Sequence, residues 1–183
     1  KTYLRQMHRL KQQLSSIYSL TDEAWADMQL IWTPLEVKRK EILTAAGETE
    51  KYLYWVIDGV QRGYHLHLDK EATVVFTYAR SFSGIIDSFL LQQPSRYYLE
   101  TLTASRFLRT SYRQMETLRR KHPCLAEMMY RSLCMVCAGT LERQIELMVY
   151  SAEEKFRTLL TRSPHILQLV PHKYLASYLG IDA

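Results

Sequence analysis

Leu4, Met7, Leu10, Leu14 and Ile17 recur at steps of three and four between Lys and Arg residues, which predicts an amphipathic helix with a basic outer face. Thr21 is placed to cap a second, short helix, with Asp22 and Glu23 in the first turn, where negative charge complements the helix dipole; Trp25 and Met28 form its apolar side. From about Leu35 to Leu108 the period shortens to two. Turn signals at Gly47-Glu48, Asp58-Gly59, Gly63, Asp69-Lys70 and Ser83-Gly84 cut this block into eight or so short strands, the rhythm of a small all-β sandwich or barrel. In "YLYWVIDGVQRGYHLHL" the Asp58-Gly59 pair predicts a tight type I′ hairpin. Tyr64, Leu66 and Leu68 form the core face of its second strand, which turns His65 and His67 outward.

After Tyr112 the helical period returns. Pro123 suits a first helical turn, and no other proline follows before about Tyr150, so one helix of about 28 residues, near 40 Å long, is expected. Its apolar positions fall into two stripes: Met129, Leu133, Val136, Thr140 and Leu147 on one, Cys134, Cys137, Leu141, Ile145 and Met148 on its neighbour. One stripe suffices to cover the β block; the other is free to pair with a second subunit, and the Met129–Leu147 stripe is taken as the dimer face. Beyond Ser151 the chain reads as short helices, "AEEKFRTLL", "SPHILQL" from Pro164 and "PHKYLASYL" from Pro171, with Gly180 where the backbone turns.

Composition narrows the class. Nearly half of the 183 residues are hydrophobic, and there are six Gly and five Pro, as in a chain that buries a core. Twenty-four Lys and Arg against nineteen Asp and Glu leave +5, which suits an anionic partner or plain solubility. No apolar run is long enough to span a membrane and no secretory leader is present, so the expectation is a cytoplasmic protein. Cys124, Cys134 and Cys137 are odd in number, so they are expected as reduced thiols packed like small apolar groups, not as a disulfide framework.

The order of basic helix, β block, long helix and small terminal helices, together with four stretches, resembles the Crp/Fnr family of transcription regulators. The stretches are "LTDEAW", "YLYWVIDGVQRGY", "QQPSRYYLETL" and "SAEEKFRTLL…LVPHKYLASYLGID". The last is the most specific: the A-x-x-L-G step of Ala176, Leu179 and Gly180 resembles the first helix of a helix-turn-helix. The resemblance implies an α+β fold: a cyclic-nucleotide-binding-like β-roll, a long dimerisation helix and a partial winged helix-turn-helix. The implied boundaries are 1–120 for the sensor, 121–150 for the long helix and 151–183 for the incomplete DNA-binding part. The second helix of such a motif reads the major groove and the first braces it. That second helix would begin just after Ala183, so the expectation is a continuation in the full protein, with His172 and Lys173 of the brace at DNA.

The resemblance also implies a ligand site, drawn from Gly84, Ile85, Ile86, Asp87, Arg96, Tyr97 and Thr140. A Gly-Glu pair followed by Arg and a small hydroxyl residue binds cyclic nucleotides in the family: Glu accepts from the ribose hydroxyl and Arg pairs with the phosphate. In "FSGIIDSFLLQQPSRYY" Gly84 and Arg96 remain, but Ile85 stands where Glu belongs and Tyr97 where the small hydroxyl belongs. An unmet ribose hydroxyl costs about 1–3 kcal/mol, so cyclic AMP is expected to bind poorly. Asp87 could supply a carboxylate from a shifted register; Arg96 is otherwise expected to pair with Asp87 or Glu100.

Rival chemistries are weaker. Gly59, His65, His67 and Glu71 follow the first half of a cupin metal motif, but no later strand histidine completes it. Cys134 and Cys137 have metal spacing without a second pair, and no supported nucleophile or paired-acid arrangement appears, so neither a cofactor nor an enzyme is expected. The runs Lys38–Lys40 and Arg119–His122 are solvated charge, or else contacts to DNA backbone or RNA polymerase. Two readings follow: a homodimeric DNA-binding regulator with a non-cyclic-AMP effector or none, or a dimeric ligand-binding or interaction module that does not bind DNA.

Overall fold

The computed structural model describes residues 2–181. Helices α1 (Thr2–Ile17) and α2 (Asp22–Leu30) precede strands β1 (Thr33–Val37), β2 (Ile42–Thr44), β3 (Tyr52–Asp58), β4 (Val60–His67), β5 (Lys70–Tyr78) and β6 (Phe82–Ser83). A short helix, α3 (Ile86–Leu91), leads to β7 (Tyr98–Thr101) and β8 (Ser105–Ser111). Five helices follow: α4 (Tyr112–Lys121), α5 (Pro123–Val149), α6 (Ala152–Arg162), α7 (Ile166–Leu169) and α8 (His172–Leu179). The strands form two antiparallel sheets, β1-β8-β3-β6 and β2-β7-β4-β5, a mixed helix-and-sheet roll that does not close into a barrel. No helix among the described residues is long and apolar enough to cross a membrane.

Three apolar clusters hold these layers. Tyr54, Val56, Ile85, Leu99 and Phe107 fill the roll between the sheets. Trp55 and Leu108 of β3 and β8 pack under Met7, Leu10 and Leu14 of α1, Met28 of α2, and Leu125 and Met128 of α5. Leu4, counted in the same stripe of α1, is exposed because its turn extends past this core. Helices α6 to α8 bury Leu159, Ile166, Leu175 and Leu179 against Val60 and Leu102 of the roll. Local signals set the helix ends as expected: Thr21 Oγ1 accepts the Ala24 N–H, Pro123 opens α5, and Gly180 at φ +61 ends α8.

The Asp58-Gly59 hairpin is not formed. β3 lies between β6 and β8 in one sheet and β4 lies between β5 and β7 in the other, so this pair is a corner that carries the chain across sheets. Of the two residues, Gly59 alone has positive φ, at +95°, and a Cβ there would stand 2.3 Å from Ser105 Oγ; glycine serves a close crossing here. The hairpin partner of β4 is β5. Register with β7 is unbroken from Gln61↔Thr101 to Tyr64↔Tyr98, so Gln61, Gly63, His65 and His67 share one face. Gln61 is buried inside the roll, donating to Ser105 Oγ at 2.9 Å and accepting from Thr77 Oγ1. The assumed core face is therefore reversed: Leu66 and Leu68 are exposed at the hairpin tip, and His65 is half-buried on the Gln61 face.

One buried carboxylate ties the sheets to α3. Glu50 Oε2 accepts from Thr44 Oγ1 at 2.8 Å and from the Ile85 N–H at 3.2 Å, and Oε1 accepts from the Tyr52 N–H at 3.1 Å. Ser88 of α3 accepts the Glu50 N–H at 2.9 Å and donates to the Gln93 carbonyl at 2.6 Å. Burial holds the Glu50 carboxyl above the ordinary carboxylate range, against the pull of these donors. Its contribution to stability is therefore full below the unfolded-state value and is lost as pH rises through the higher folded-state value. Glu50→Gln keeps the shape, but its amide nitrogen must face either the Tyr52 or the Ile85 N–H. The variant is expected to lose about 1–3 kcal/mol in urea unfolding at pH 7. This deficit is expected to widen as pH falls toward about 5, because the wild type alone gains from protonation.

Candidate functional site

The cassette runs from β6 through α3 to the start of β7. Gly84, at φ +138, makes the entry turn with its Cα against the strand below: an added Cβ would meet the Tyr52 carbonyl at 3.2 Å. Ile85 occupies the position before the helix, and its side chain belongs to the cluster that fills the roll with Tyr54, Val56, Leu99 and Phe107. Ile86 faces the other way, toward the helices α1, α4 and α5. Asp87 lies exposed in the first turn of α3, and Gln92 ends that helix in the left-handed region.

Arg96 and Tyr97 close the cassette. Arg96 is exposed, and its carbonyl accepts a hydrogen bond from His65 Nδ1 at 2.8 Å. The expected ion pair of Arg96 with Asp87 or Glu100 is absent among the described residues, because Glu100 is already engaged: Oε1 accepts from Lys40 Nζ and Oε2 from Arg62, each at 3.1 Å. Tyr97 is half-buried, packs on the roll cluster and meets the His65 ring edge-on at 5.9 Å. Thr140, placed with this site in the sequence, is exposed on α5 and donates to the Val136 carbonyl at 2.8 Å. The cassette thus keeps its backbone turn and its arginine, while an isoleucine side chain takes up the interior beneath it and the nearby carboxylate, Glu50, has its oxygens on protein donors.

The histidines and Glu71 do not form a ligand set. His65 and His67 stack with ring centroids 6.5 Å apart, while Glu71 turns to Arg62 at 2.7 Å on the opposite face of the sheet. The group among the described residues that does converge is Glu23, Asp27 and His122, with ligand atoms within 4.8 Å of one another. A cation is already there: Lys121 Nζ lies 2.6 Å from Asp27 Oδ2, which His122 Nε2 also approaches at 2.7 Å. Hydrogen bonds from Lys121 and His122 hold the Asp27 carboxyl below its usual range. The cluster fastens α2 to the α4–α5 junction, a role that the sequence pattern did not signal because its members lie about 95 residues apart in the chain.

Helix α5 touches the roll over its first turns, where Leu125 and Met128 are buried, and then leaves it. Met129, Leu133 and Val136 line the space between α5 and the helices α1 to α4, so this stripe faces the roll over its first half. Leu147 lies half-exposed beside Gly180. The neighbouring stripe is open: Tyr130, Leu141, Ile145 and Met148 are more than half exposed. Cys134 and Cys137 are exposed free thiols on that side, not packed as expected, and Cys124 is half-buried, its Sγ 4.0 Å from Thr21 Oγ1. Glu146, buried near the end of α5, pairs with Arg143 at 3.3 Å and with Arg162 of α6.

Helix α8 is clamped on the roll. The Arg62 guanidinium lies between the rings of Tyr64 (4.0 Å) and Tyr174 (3.9 Å), and Lys40 Nζ donates to Tyr174 Oη at 3.0 Å. Ser177 Oγ accepts the Thr73 N–H at 3.0 Å and donates to the Glu71 carbonyl at 2.9 Å, while Arg143 of α5 donates to the Tyr178 carbonyl. His172 and Lys173 stand exposed in the first turn of α8. Sequence reasoning did not find Arg62 or its grouping with Glu100 and Lys40, since a charge that pairs across a sheet leaves no periodic trace.

No family model and no curated protein sequence matches the chain. Solved structures do. FixK2 from Bradyrhizobium japonicum superposes with a TM-score of 0.73 at 16% identity, over 82% of this chain and 78% of that one. The sensor domain of the transcriptional regulator DNR from Pseudomonas aeruginosa gives 0.62 at 14% identity, over 77% and 94%. A cyclic nucleotide-binding domain from Methylobacillus flagellatus gives 0.63 at 14% identity, over 75% and 80%. The chain therefore has the fold of cyclic-nucleotide-binding domains and of Crp/Fnr regulators.

Proposed function

We propose that this chain is the sensing and coupling part of a homodimeric Crp/Fnr-type transcription regulator whose cassette does not hold cyclic AMP. The observation that carries the reading is the outward side of α5, where Tyr130, Leu141, Ile145 and Met148 stand uncovered along a 27-residue helix. Contiguous apolar surface of this kind is characteristic of an interface. Two copies of α5, packed along the Tyr130–Cys134–Cys137–Leu141–Met148 side, bury it by self-complementary contact about a two-fold axis. The stripe expected as the dimer face adjoins this side, and its Leu133, Val136, Thr140 and Leu147 are exposed as well, so both belong to the surface open to a second copy.

The likeness to the sensor domain of the transcriptional regulator DNR supports the regulator role, and the exposed His172 and Lys173 suit contacts to DNA phosphates rather than to bases. The filled cassette supports the effector part of the reading. With Ile85 in the roll and the oxygens of Glu50 on protein donors, binding of cyclic AMP loses the hydrogen bond that a glutamate at position 85 would accept from the ribose and must displace packed side chains. RNA polymerase as a further partner and a cytoplasmic location accompany the same reading.

Selection from a random DNA pool by the protein in its full natural length is expected to enrich an inverted repeat with half-sites about one helical turn apart. Recovery of no sequence above non-specific binding would contradict DNA reading and favour a dimeric sensing or interaction module. Titration calorimetry with cyclic AMP is expected to show no saturable heat at about 100 μM nucleotide; saturation at a few micromolar would contradict the assignment of the cassette.

A further inference from the structure

Tyr130, Cys134, Cys137, Leu141, Gln144 and Met148 follow one another along α5 at alternating steps of four and three, and all are exposed. A mean repeat of about 3.5 residues is that of a coiled-coil seam, with Cys134, Leu141 and Met148 in one set of layers and Tyr130, Cys137 and Gln144 in the other. The neighbouring stripe has the same spacing but is engaged with its own subunit near both ends: Met129 packs on the cluster beneath α1 and α2, and Arg143 donates to the Tyr178 carbonyl. Leu133, Thr140, Ile145 and Leu147 flank the seam and are exposed with it.

The order of residues within the seam sets the direction of pairing. In a parallel pair each position meets its own counterpart, so cysteine meets cysteine in two successive layers, and the Gln144 amides, each both donor and acceptor, meet one another. A single amide in such a seam fixes its register. Antiparallel overlap of the same positions sets Cys134 against Gln144 and Cys137 against Leu141, which leaves each amide facing a thiol. Helix axes about 8–10 Å apart, with Cα atoms about 2.3 Å off each axis, bring facing Cα atoms to about 3.5–5.5 Å, and slightly more at positions to either side of the contact line. A disulfide spans about 4.4–6.8 Å between Cα atoms. Cys134 and Cys137 are free thiols.

From this placement we infer that Cys134 and Cys137 are oxidation sites at which a low-molecular-weight disulfide, of the class of oxidised glutathione, joins two copies of α5 covalently, each cysteine to its own counterpart. The inference rests on the pairing of α5 proposed above and adds a regulation of it. One cysteine thiolate attacks the small disulfide, which gives a mixed disulfide and releases one small thiol. The facing thiolate then attacks the protein sulfur of that mixed disulfide and releases the second small thiol. One S–S bond breaks and one forms, the two cysteine protons pass to the departing thiolates, the cysteines are oxidised and the small disulfide is reduced. The new bond makes the pairing independent of dilution, so the thiol poise of the surroundings acts on the rod that carries the terminal helices.

The test equilibrates the whole chain in mixtures of reduced and oxidised glutathione, quenches with acid and reads intact mass without reductant. Cys134→Ser and Cys137→Ser are each expected to cross-link through the cysteine that remains. The double variant, which keeps Cys124, is expected not to cross-link. A thiol held against its counterpart has an effective concentration on the order of 1 mM, so at about 10 μM chain each single variant is expected to cross-link about a hundredfold more favourably than a thiol off the seam. The reference for the latter is Met135→Cys in the double variant, since Met135 is exposed beside the seam but outside it. Cross-linking no better than this reference, or a Cys134–Cys137 disulfide within one chain in place of the interchain bonds, would overturn the inference. Sedimentation of the reduced protein reports the pairing separately: a reduced dimer that fails to cross-link removes this inference alone, whereas a reduced monomer removes the pairing with it.

Discussion

The structure depends on a helix that is longer than the core able to cover it. Over its first turns α5 is anchored by Leu125 and Met128 in the cluster beneath α1, α2 and α4. Beyond them its one buried residue among those described is Glu146, an acid, and it is held by Arg143 and Arg162 instead of by apolar contact. A helix in water is stabilised mainly by packing of its apolar face. An unpaired half-rod that exposes Leu141, Ile145 and Met148 lacks that packing, and the proposed pairing with a second copy would supply it. The rest follows the rod: Glu146 fixes α6 to it, Arg143 fixes α8, and α8 in turn lies on β4 and β5 through Tyr174 and Ser177.

The cassette illustrates how a fold keeps a shape while its chemistry changes. At Gly84 the φ of +138 disfavours any side chain, and an added Cβ would crowd the Tyr52 carbonyl at 3.2 Å. Nothing in that constraint requires a ribose-binding acid beside it. Ile85 gains more by entering the roll with Phe107 and Leu99 than a carboxylate could in the same place, where burial would demand a partner. Glu50 is the acid that this region retains, and three donors hold it to a structural task.

Much of the architecture was legible in the sequence where a local rule governs it. The stripe of α1 from Met7 onward, the cap at Thr21, the start of α5 at Pro123 and the end of α8 at Gly180 each depend on a few neighbouring residues, and each stands as read. Errors arose where pairing is non-local. Asp58-Gly59 has the chemistry of a hairpin turn, but turn chemistry fixes a bend and not which strand lies beside which. In β4 the more apolar positions, Tyr64 and Leu66, lie on the face away from the roll interior, because that interior is polar here, built of Gln61, Thr77, Ser83 and Ser105.

Sedimentation velocity of the purified protein tests the pairing of α5 most directly. At about 10 μM the account predicts a single species of twice the 21.6 kDa chain mass, converted to a folded monomer by Leu141→Glu on the exposed side. A wild-type protein that sediments as a monomer at that concentration, with Leu141→Glu leaving it unchanged, would contradict it.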